Sequence, residues 1–199
     1  PEQILTEILQ FCASKKIRVV ADECFLRFHP HYEKMSCKRF LKQYPNLLIV
    51  NAFTKFYAMA GLRLGYLMTG DLSLLHAVAQ QLPEWNVSSI AQRAGISALQ
   101  DTEYEKRTRQ LIEKERRYLI QEFLKMGCTV FPSEADYITF RLPQEKTGFL
   151  LKERLLEGKI LIRSCANYRN MPPDCYRIAV KQHADNEELV RQVWRILIQ

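Results

Sequence analysis

The sequence lacks several features, and each absence narrows what it can be. No apolar run in its 199 residues approaches the roughly 20 that a transmembrane helix needs, so no membrane role is expected. The opening Pro1-Glu2-Gln3-Ile4 has neither the basic nor the apolar segment of a signal peptide. Six cysteines are present (Cys12, Cys24, Cys37, Cys128, Cys165 and Cys175), but none form a Cys-x-x-Cys pair and their spacing sets up no frame. A zinc or iron–sulfur site is therefore not expected, and neither is a disulfide-stapled secreted domain. Reduced thiols in a cytoplasmic protein are the simpler reading. There is no internal repeat and no low-complexity segment.

What is present reads as a globular chain. Hydrophobic residues make up 47% and charged residues 26%, and 199 residues suffice for one core plus a smaller lobe. The net charge of +7 points to anionic partners. The densest basic cluster is Lys106, Arg107, Arg109, Lys114, Arg116 and Arg117. It is interleaved with Glu103, Glu105, Glu113 and Glu115, a pattern that reads as a solvated helix face. Nothing resembles a groove-reading motif, so nucleic acid is not expected, and acidic lipid and phosphorylated small molecules stay open as anionic partners.

Apolar periodicity predicts a helix over 3–15, a buried strand over 17–21 ending at Asp22, a helix near 35–43, a buried strand over 47–50 and a strand over 63–69. Helices follow at 72–81, 88–100 and 102–126, the last stopped by Gly127. Beyond it, strands are expected near 128–131, 136–141, 160–163 and 175–180, with helices at 146–157 and 185–198 and Gly158 as a cap. The alternation predicts an α/β layered domain over 1–108 with a mainly parallel sheet, then a small α+β domain over 109–199. In such sheets ligands sit beyond the carboxyl ends of the strands, where Asp22 and the 51–55 loop both lie.

The stretch Asn51-Ala-Phe-Thr-Lys-Phe-Tyr-Ala-Met-Ala-Gly-Leu-Arg-Leu-Gly-Tyr66 carries the most chemistry. Lys55 follows a buried strand beside Thr54, in an apolar setting that would desolvate the amine and favour its neutral, nucleophilic form. Eight residues on, Arg63 stands between Gly61 and Gly65, which would let the backbone approach closely, and its planar fork suits a phosphate.

These residues resemble fold-type I pyridoxal-phosphate (PLP) enzymes of the aminotransferase class I/II group. Ala-Phe-Thr-Lys and Gly-Leu-Arg-Leu-Gly match that group's cofactor-lysine pattern at its spacing, and Val19-Val20-Ala21-Asp22-Glu23-Cys24-Phe25 resembles its strand ending in Asp-Glu. The resemblance implies part of a large PLP-transferase domain followed by a small C-terminal domain. It also implies PLP as cofactor, Lys55 as its anchor, Asp22 as partner of the pyridine nitrogen, and Thr54 and Arg63 as phosphate contacts. Two positions depart from the pattern: Phe25 replaces a hydrogen-bonding tyrosine and Ala52 a hydroxyl residue.

In the C-terminal part, Leu161-Ile-Arg-Ser-Cys-Ala-Asn-Tyr168 and Tyr176-Arg-Ile-Ala-Val180 resemble the family's substrate segments, with Arg163 for a substrate phosphate and Arg177 for a substrate carboxylate. The first segment looks more like the threonine-phosphate decarboxylases of cobalamin biosynthesis than the histidinol-phosphate aminotransferases, although Ser164 departs from the former's aspartate. The expected activity is therefore a carboxy-lyase converting L-threonine O-3-phosphate to aminopropanol phosphate, with an aminotransferase of the histidinol-phosphate type as alternative. A homodimer is implied for the whole protein. The family's Asn-Pro-x-x-Pro-Thr-Gly motif and phosphate-binding loop have no counterpart here, so the chain is expected to be a fragment holding only part of the site. A non-catalytic structural piece is the reading of another class. A PLP-sensing regulator is disfavoured because there is no helix-turn-helix segment.

Overall fold

The computed structural model describes residues 2–146 and 150–198, which divide into two compact units, Pro1–Glu105 and Lys106–Gln199. In the first, α1 (Glu2–Ser14) leads into β1 (Val19–Asp22). A short helix α2 (Tyr32–Met35) precedes β2 (Leu47–Ala52) and β3 (Gly65–Thr69). Then come α3 (Leu72–Gln81), α4 (Ser89–Gln100) and the start of α5 (Thr102–Lys125). The sheet order is β1-β2-β3. β1 and β2 are parallel, as expected, with Val19 opposite Leu47 and Asp22 opposite Val50. β3 joins antiparallel, so the sheet is mixed rather than mainly parallel. The reason is local: residues 53–64 carry no crossover helix, and without one the chain returns antiparallel. Leu9, Cys37, Phe40, Tyr44, Leu47 and Ile49 form a buried cluster beneath the sheet.

The helix expected near 35–43 is broken. Ser36 is extended and caps a separate 3-10 turn, Cys37–Phe40, by accepting from the Lys38 amide. The cause is a buried carboxylate: Glu23 accepts from the Ser36 hydroxyl at 2.9 Å and from the Cys37 amide at 2.7 Å. These bonds draw the backbone out of helical register. The strand expected from 63 starts at 65, because Arg63 is left-handed with φ 52°.

The second unit holds the rest of α5, an antiparallel sheet β4 (Thr129–Phe131), β5 (Tyr137–Arg141), β6 (Arg163–Ser164) and β7 (Cys175–Ala179), and helices α6 (Leu151–Glu157) and α7 (His183–Ile198). The sheet order is β4-β5-β7-β6. Its core contains Leu119, Phe123, Ile138, Phe140, Leu151, Leu155 and Val193, each fully excluded from solvent, with the Phe123 and Phe140 rings 4.3 Å apart. Gly127 ends α5 at φ 79°, as a left-handed cap does. The strand expected over 160–163 shrinks to Arg163–Ser164. Lys159 is left-handed and the Ile160 amide donates to the Leu155 carbonyl at 2.8 Å, so these residues close the end of α6 instead of pairing in the sheet. Residues 147–149 of the helix expected over 146–157 lie outside the described residues; the helix is described from Leu151.

The charged stretch of α5 is not simply a solvated face. Glu105, Glu115 and Arg116 are buried. Each is matched by polar partners, which a charge pattern alone does not reveal. Arg116 donates to the Ala135 carbonyl at 3.0 Å. Glu115 Oε2 accepts from the Asn186 side chain at 3.0 Å and lies 3.1 Å from His183 Nδ1, tying α5 to α7. Burial pushes the Glu115 carboxyl up, but the Asn186 and His183 bonds outweigh it and hold it below the usual carboxylate range. A carboxyl lowered on folding stabilises fully above its unfolded pKa, about 4.3, and loses that contribution as pH falls through the lower folded value. Acid unfolding followed by circular dichroism should therefore show Glu115→Gln less stable than the native chain at pH 6, with the gap closing below about pH 4.

Candidate active site

The β2–β3 loop, residues 53–64, carries Thr54, Lys55 and Arg63 at the carboxyl end of β2. It is a pinned loop. The Phe53 amide donates to Leu64 at 3.0 Å, the Ala58 amide to Lys55 at 3.0 Å, and the Met59 amide to Phe53 at 3.3 Å. Ala58 and Arg63 are both left-handed (φ 53° and 52°), a conformation that costs non-glycine residues energy and persists only where neighbours enforce it. Helix α4 provides one such neighbour: a Cβ on Gly95 would stand 2.5 Å from the Leu64 side chain. The start of α5 provides another, since the Tyr104 hydroxyl donates to the Phe56 carbonyl at 3.1 Å.

Asp22 ends β1 on the strand beside β2, so Asp22 and the Lys55 loop share one end of the sheet. The Asp22 Oδ1 atom accepts from the Cys24 amide at 2.9 Å. Hydrogen bonds from the Cys24 thiol and then from its amide hold the Asp22 carboxyl below its ordinary value, against a smaller effect of burial. Lys55 Nζ lies 5.7 Å from the Phe25 ring, the residue that replaces a hydrogen-bonding tyrosine.

Two expectations are corrected. Lys55 is solvent-exposed, so its neighbours in this chain do not desolvate it. The aromatic residues that suggested an apolar setting, Phe53, Phe56 and Tyr57, turn inward and are buried. Of the flanking glycines only Gly65 meets a close backbone approach, its Cβ position 2.9 Å from the Asn51 carbonyl; Gly61 faces open space. Arg63 is exposed and uses one Nη to donate to Ala60 at 3.0 Å, leaving the rest of its fork for an anion. Thr54 is half-buried.

Sequence reasoning missed the network beneath the loop. Arg27 donates to Glu105 Oε1 through Nε (3.2 Å) and Nη2 (2.5 Å), and the Tyr57 hydroxyl donates to the same oxygen at 2.6 Å. The Arg27 guanidinium lies 5.2, 5.8 and 5.3 Å from the ring centres of Tyr32, Phe56 and Tyr57. Burial opposes the Arg27 charge, but the Glu105 bond carries its pKa upward; burial and then the Glu105 bond push the Tyr57 hydroxyl up. Beside this network a small cleft is lined by Arg27, Asn51, Ala52, Phe53, Phe56, Tyr57, Tyr66 and Leu99. Its only sequence signal is the aromatic spacing Phe53, Phe56, Tyr57.

In the second unit, Arg163 of β6 stands directly opposite Arg177 of β7. Arg163 is exposed, donates to Asn167 at 3.1 Å and lies 5.4 Å from the Tyr168 ring centre; Arg177 is half-buried, 4.9 Å from that of Tyr137. Cys165 next to them is buried, and burial pushes its thiol up against the opposing field of both arginines, so it is an inert core residue. Among the described residues no cluster of His, Cys, Asp and Glu has the makings of a metal site, and no helix is long and apolar enough to cross a membrane.

Comparison with known proteins places this arrangement. The chain is 35% identical over 199 residues to the threonine-phosphate decarboxylase of Salmonella typhimurium, covering 99% of this chain and 54% of that protein. It is 32% identical over 181 residues to the histidinol-phosphate aminotransferase of Oleidesulfovibrio alaskensis, covering 90% of this chain and 46% of that one. The solved histidinol-phosphate aminotransferase of Clostridium acetobutylicum superposes with a TM-score of 0.92 at 30% identity, covering 100% of this chain and 59% of that structure. The chain thus spans about half the length of the curated relatives it matches. The family profile described as "Aminotransferase class I and II" matches residues 1–193, and the chain belongs to that family.

Proposed function

We infer that this chain carries the cofactor lysine and substrate arginines of a PLP-dependent carboxy-lyase acting on L-threonine O-3-phosphate. The observation that carries the substrate class is the Arg163–Arg177 register pair. Like charges directly opposite on neighbouring strands repel. Such a pair is favourable when an anion lies against it, and two guanidinium forks suit a ligand bearing both a phosphate and a carboxylate. Threonine phosphate carries both on one molecule; histidinol phosphate has no carboxylate.

The residues present fit the cofactor. Asp22 offers a carboxylate kept anionic at a strand end, suited to a protonated ring nitrogen. Lys55 offers an accessible amine, and Arg63 and Thr54 offer phosphate donors. Phe25 and Ala52 withhold two contacts. When bound, PLP supplies the electron sink for the pair left on the substrate α-carbon. In this reading Arg163 would hold the substrate phosphate and Arg177 the substrate carboxylate, the group that is to depart. Carbon dioxide leaves and Lys55 returns a proton to the α-carbon. By the same reading the working protein is a cytoplasmic homodimer.

A second reading, an aminotransferase of the histidinol-phosphate type, is favoured by the 0.92 superposition. The product decides between them. Holoprotein given threonine phosphate is expected to release carbon dioxide. Turnover of histidinol phosphate that requires a 2-oxo acid and yields no gas overturns the decarboxylase reading.

A further inference from the structure

Arg163 and Arg177 stand opposite each other, yet their guanidinium groups have different partners. The sheet order β4-β5-β7-β6 puts Arg177 on an inner strand and Arg163 on the edge. Arg177 leans toward β5, where its guanidinium carbon lies 4.9 Å from the ring centre of Tyr137. Tyr137 pairs with Ala179, so this contact lies toward the end of β7. Arg163 turns instead to the segment after β6. It donates through Nη2 to Asn167 Oδ1 at 3.1 Å, and its guanidinium carbon lies 5.4 Å from the ring centre of Tyr168. That segment runs the other way, toward the start of β7: the Cys165 amide donates to the Cys175 carbonyl at 2.9 Å, and the Tyr168 amide to the Cys165 carbonyl at 2.9 Å. Two like charges on facing positions are therefore drawn in opposite directions along the sheet, each onto its own aromatic ring. Both separations are within the range where a cation is attracted to a ring face. This arrangement relieves the repulsion of the facing pair before any ligand arrives.

We propose that Tyr137 and Tyr168 are positioning residues that hold the Arg177 and Arg163 guanidinium groups apart, so that the pair selects a ligand with an anionic group at each end over one with a single anion. This rests on the reading of both arginines as substrate contacts. A merged pair would close on one phosphate with both forks. A separated pair offers a single anion only one fork, and offers both to a molecule that carries phosphate and carboxylate on one short backbone. Asn167 uses one donor of Arg163 and leaves the others for the ligand.

The test reads the arginine Nε–Hε signals of the isotope-labelled 199-residue chain by NMR, with inorganic phosphate, L-threonine and O-phospho-L-threonine as probes. Inorganic phosphate is expected to move the Arg163 signal and L-threonine the Arg177 signal. O-phospho-L-threonine is expected to move both, at about tenfold lower concentration than either single anion, because the second contact is intramolecular once the first is made. Tyr168 is exposed, so its replacement leaves the fold standing. Tyr168→Leu is expected to weaken O-phospho-L-threonine about fivefold and leave L-threonine unchanged, while Tyr168→Phe, which keeps the ring, matches the native chain. Tyr137→Leu is the reciprocal variant and weakens L-threonine; if it does not fold, the Tyr168 variants and the probe pattern decide by themselves.

Inorganic phosphate that moves both arginine signals together shows one merged site and overturns the proposal. So does a Tyr168→Leu chain that binds O-phospho-L-threonine as the native chain does, or a Tyr168→Phe chain that behaves like the leucine variant. If no probe moves either arginine signal, the substrate reading fails and the proposal falls with it, a result distinct from a pair that binds without discriminating.

Discussion

Lys55→Ala is expected to abolish covalent retention of PLP while leaving the fold intact. With PLP and borohydride, peptide mapping of the native chain is expected to find the reduced adduct on Lys55, and the variant is expected to carry none in the 53–64 loop. Because the side chain is exposed, its truncation should change stability by no more than about 0.5 kcal/mol. Loss of labelling is then not an unfolding effect. The chain holds many exposed lysines, and a bare amine does not distinguish them. What distinguishes Lys55 is its place on a loop pinned at both ends, with Asp22 at the neighbouring strand terminus and Arg63 on the same loop. Arg63→Ala removes the phosphate fork and is expected to weaken labelling at Lys55 without eliminating it. Labelling spread evenly over surface lysines, with no preference for Lys55, contradicts the assignment.

Glu105→Ala is expected to cost the first unit about 3 kcal/mol, read from denaturant unfolding against the native chain. The carboxylate is the shared acceptor for Arg27 and the Tyr57 hydroxyl. Its removal leaves a guanidinium among three aromatic rings without its counter-charge, and a buried phenol without its acceptor. Glu105→Gln keeps an acceptor and loses only the charge, so its cost is smaller. A loss under about 1 kcal/mol for alanine shows that the network is replaceable by water. The effect reaches the candidate site through the chain: Tyr57 lies two residues from Lys55, and the same loop holds strained Ala58. Once Tyr57 is freed, the loop has less to enforce that strain. PLP labelling of Lys55 is therefore expected to fall in Glu105→Ala even under conditions where the variant remains folded.

Legibility from the sequence differed by kind of feature. The candidate cofactor lysine, the aspartate and the arginine-glycine stretch could be picked out as a family motif because their spacing is short and linear, and a linear motif survives without coordinates. Long helices such as α3, α4 and α5 were readable because apolar periodicity accumulates over many residues. The break at Ser36 was not, because its cause is Glu23, thirteen residues away and tied in only by side-chain bonds. The burial of Glu105, Glu115 and Arg116 was hidden for the same reason: their partners Arg27, Tyr57, Asn186 and Ala135 lie far along the chain, and charge alternation looks alike on a solvated face and a paired one.

By itself, then, the sequence determined the family and pointed to Lys55 as a candidate anchor and to candidate groups for a phosphorylated ligand, since these depend on residue types at set intervals. Only the tertiary structure decided that Lys55 is exposed while its aromatic neighbours are buried, that Arg163 and Arg177 face each other across two strands, and that the Cys24 amide donates to Asp22. Those are matters of register, rotamer and backbone sign, set by contacts between residues distant in sequence, and no local pattern encodes them.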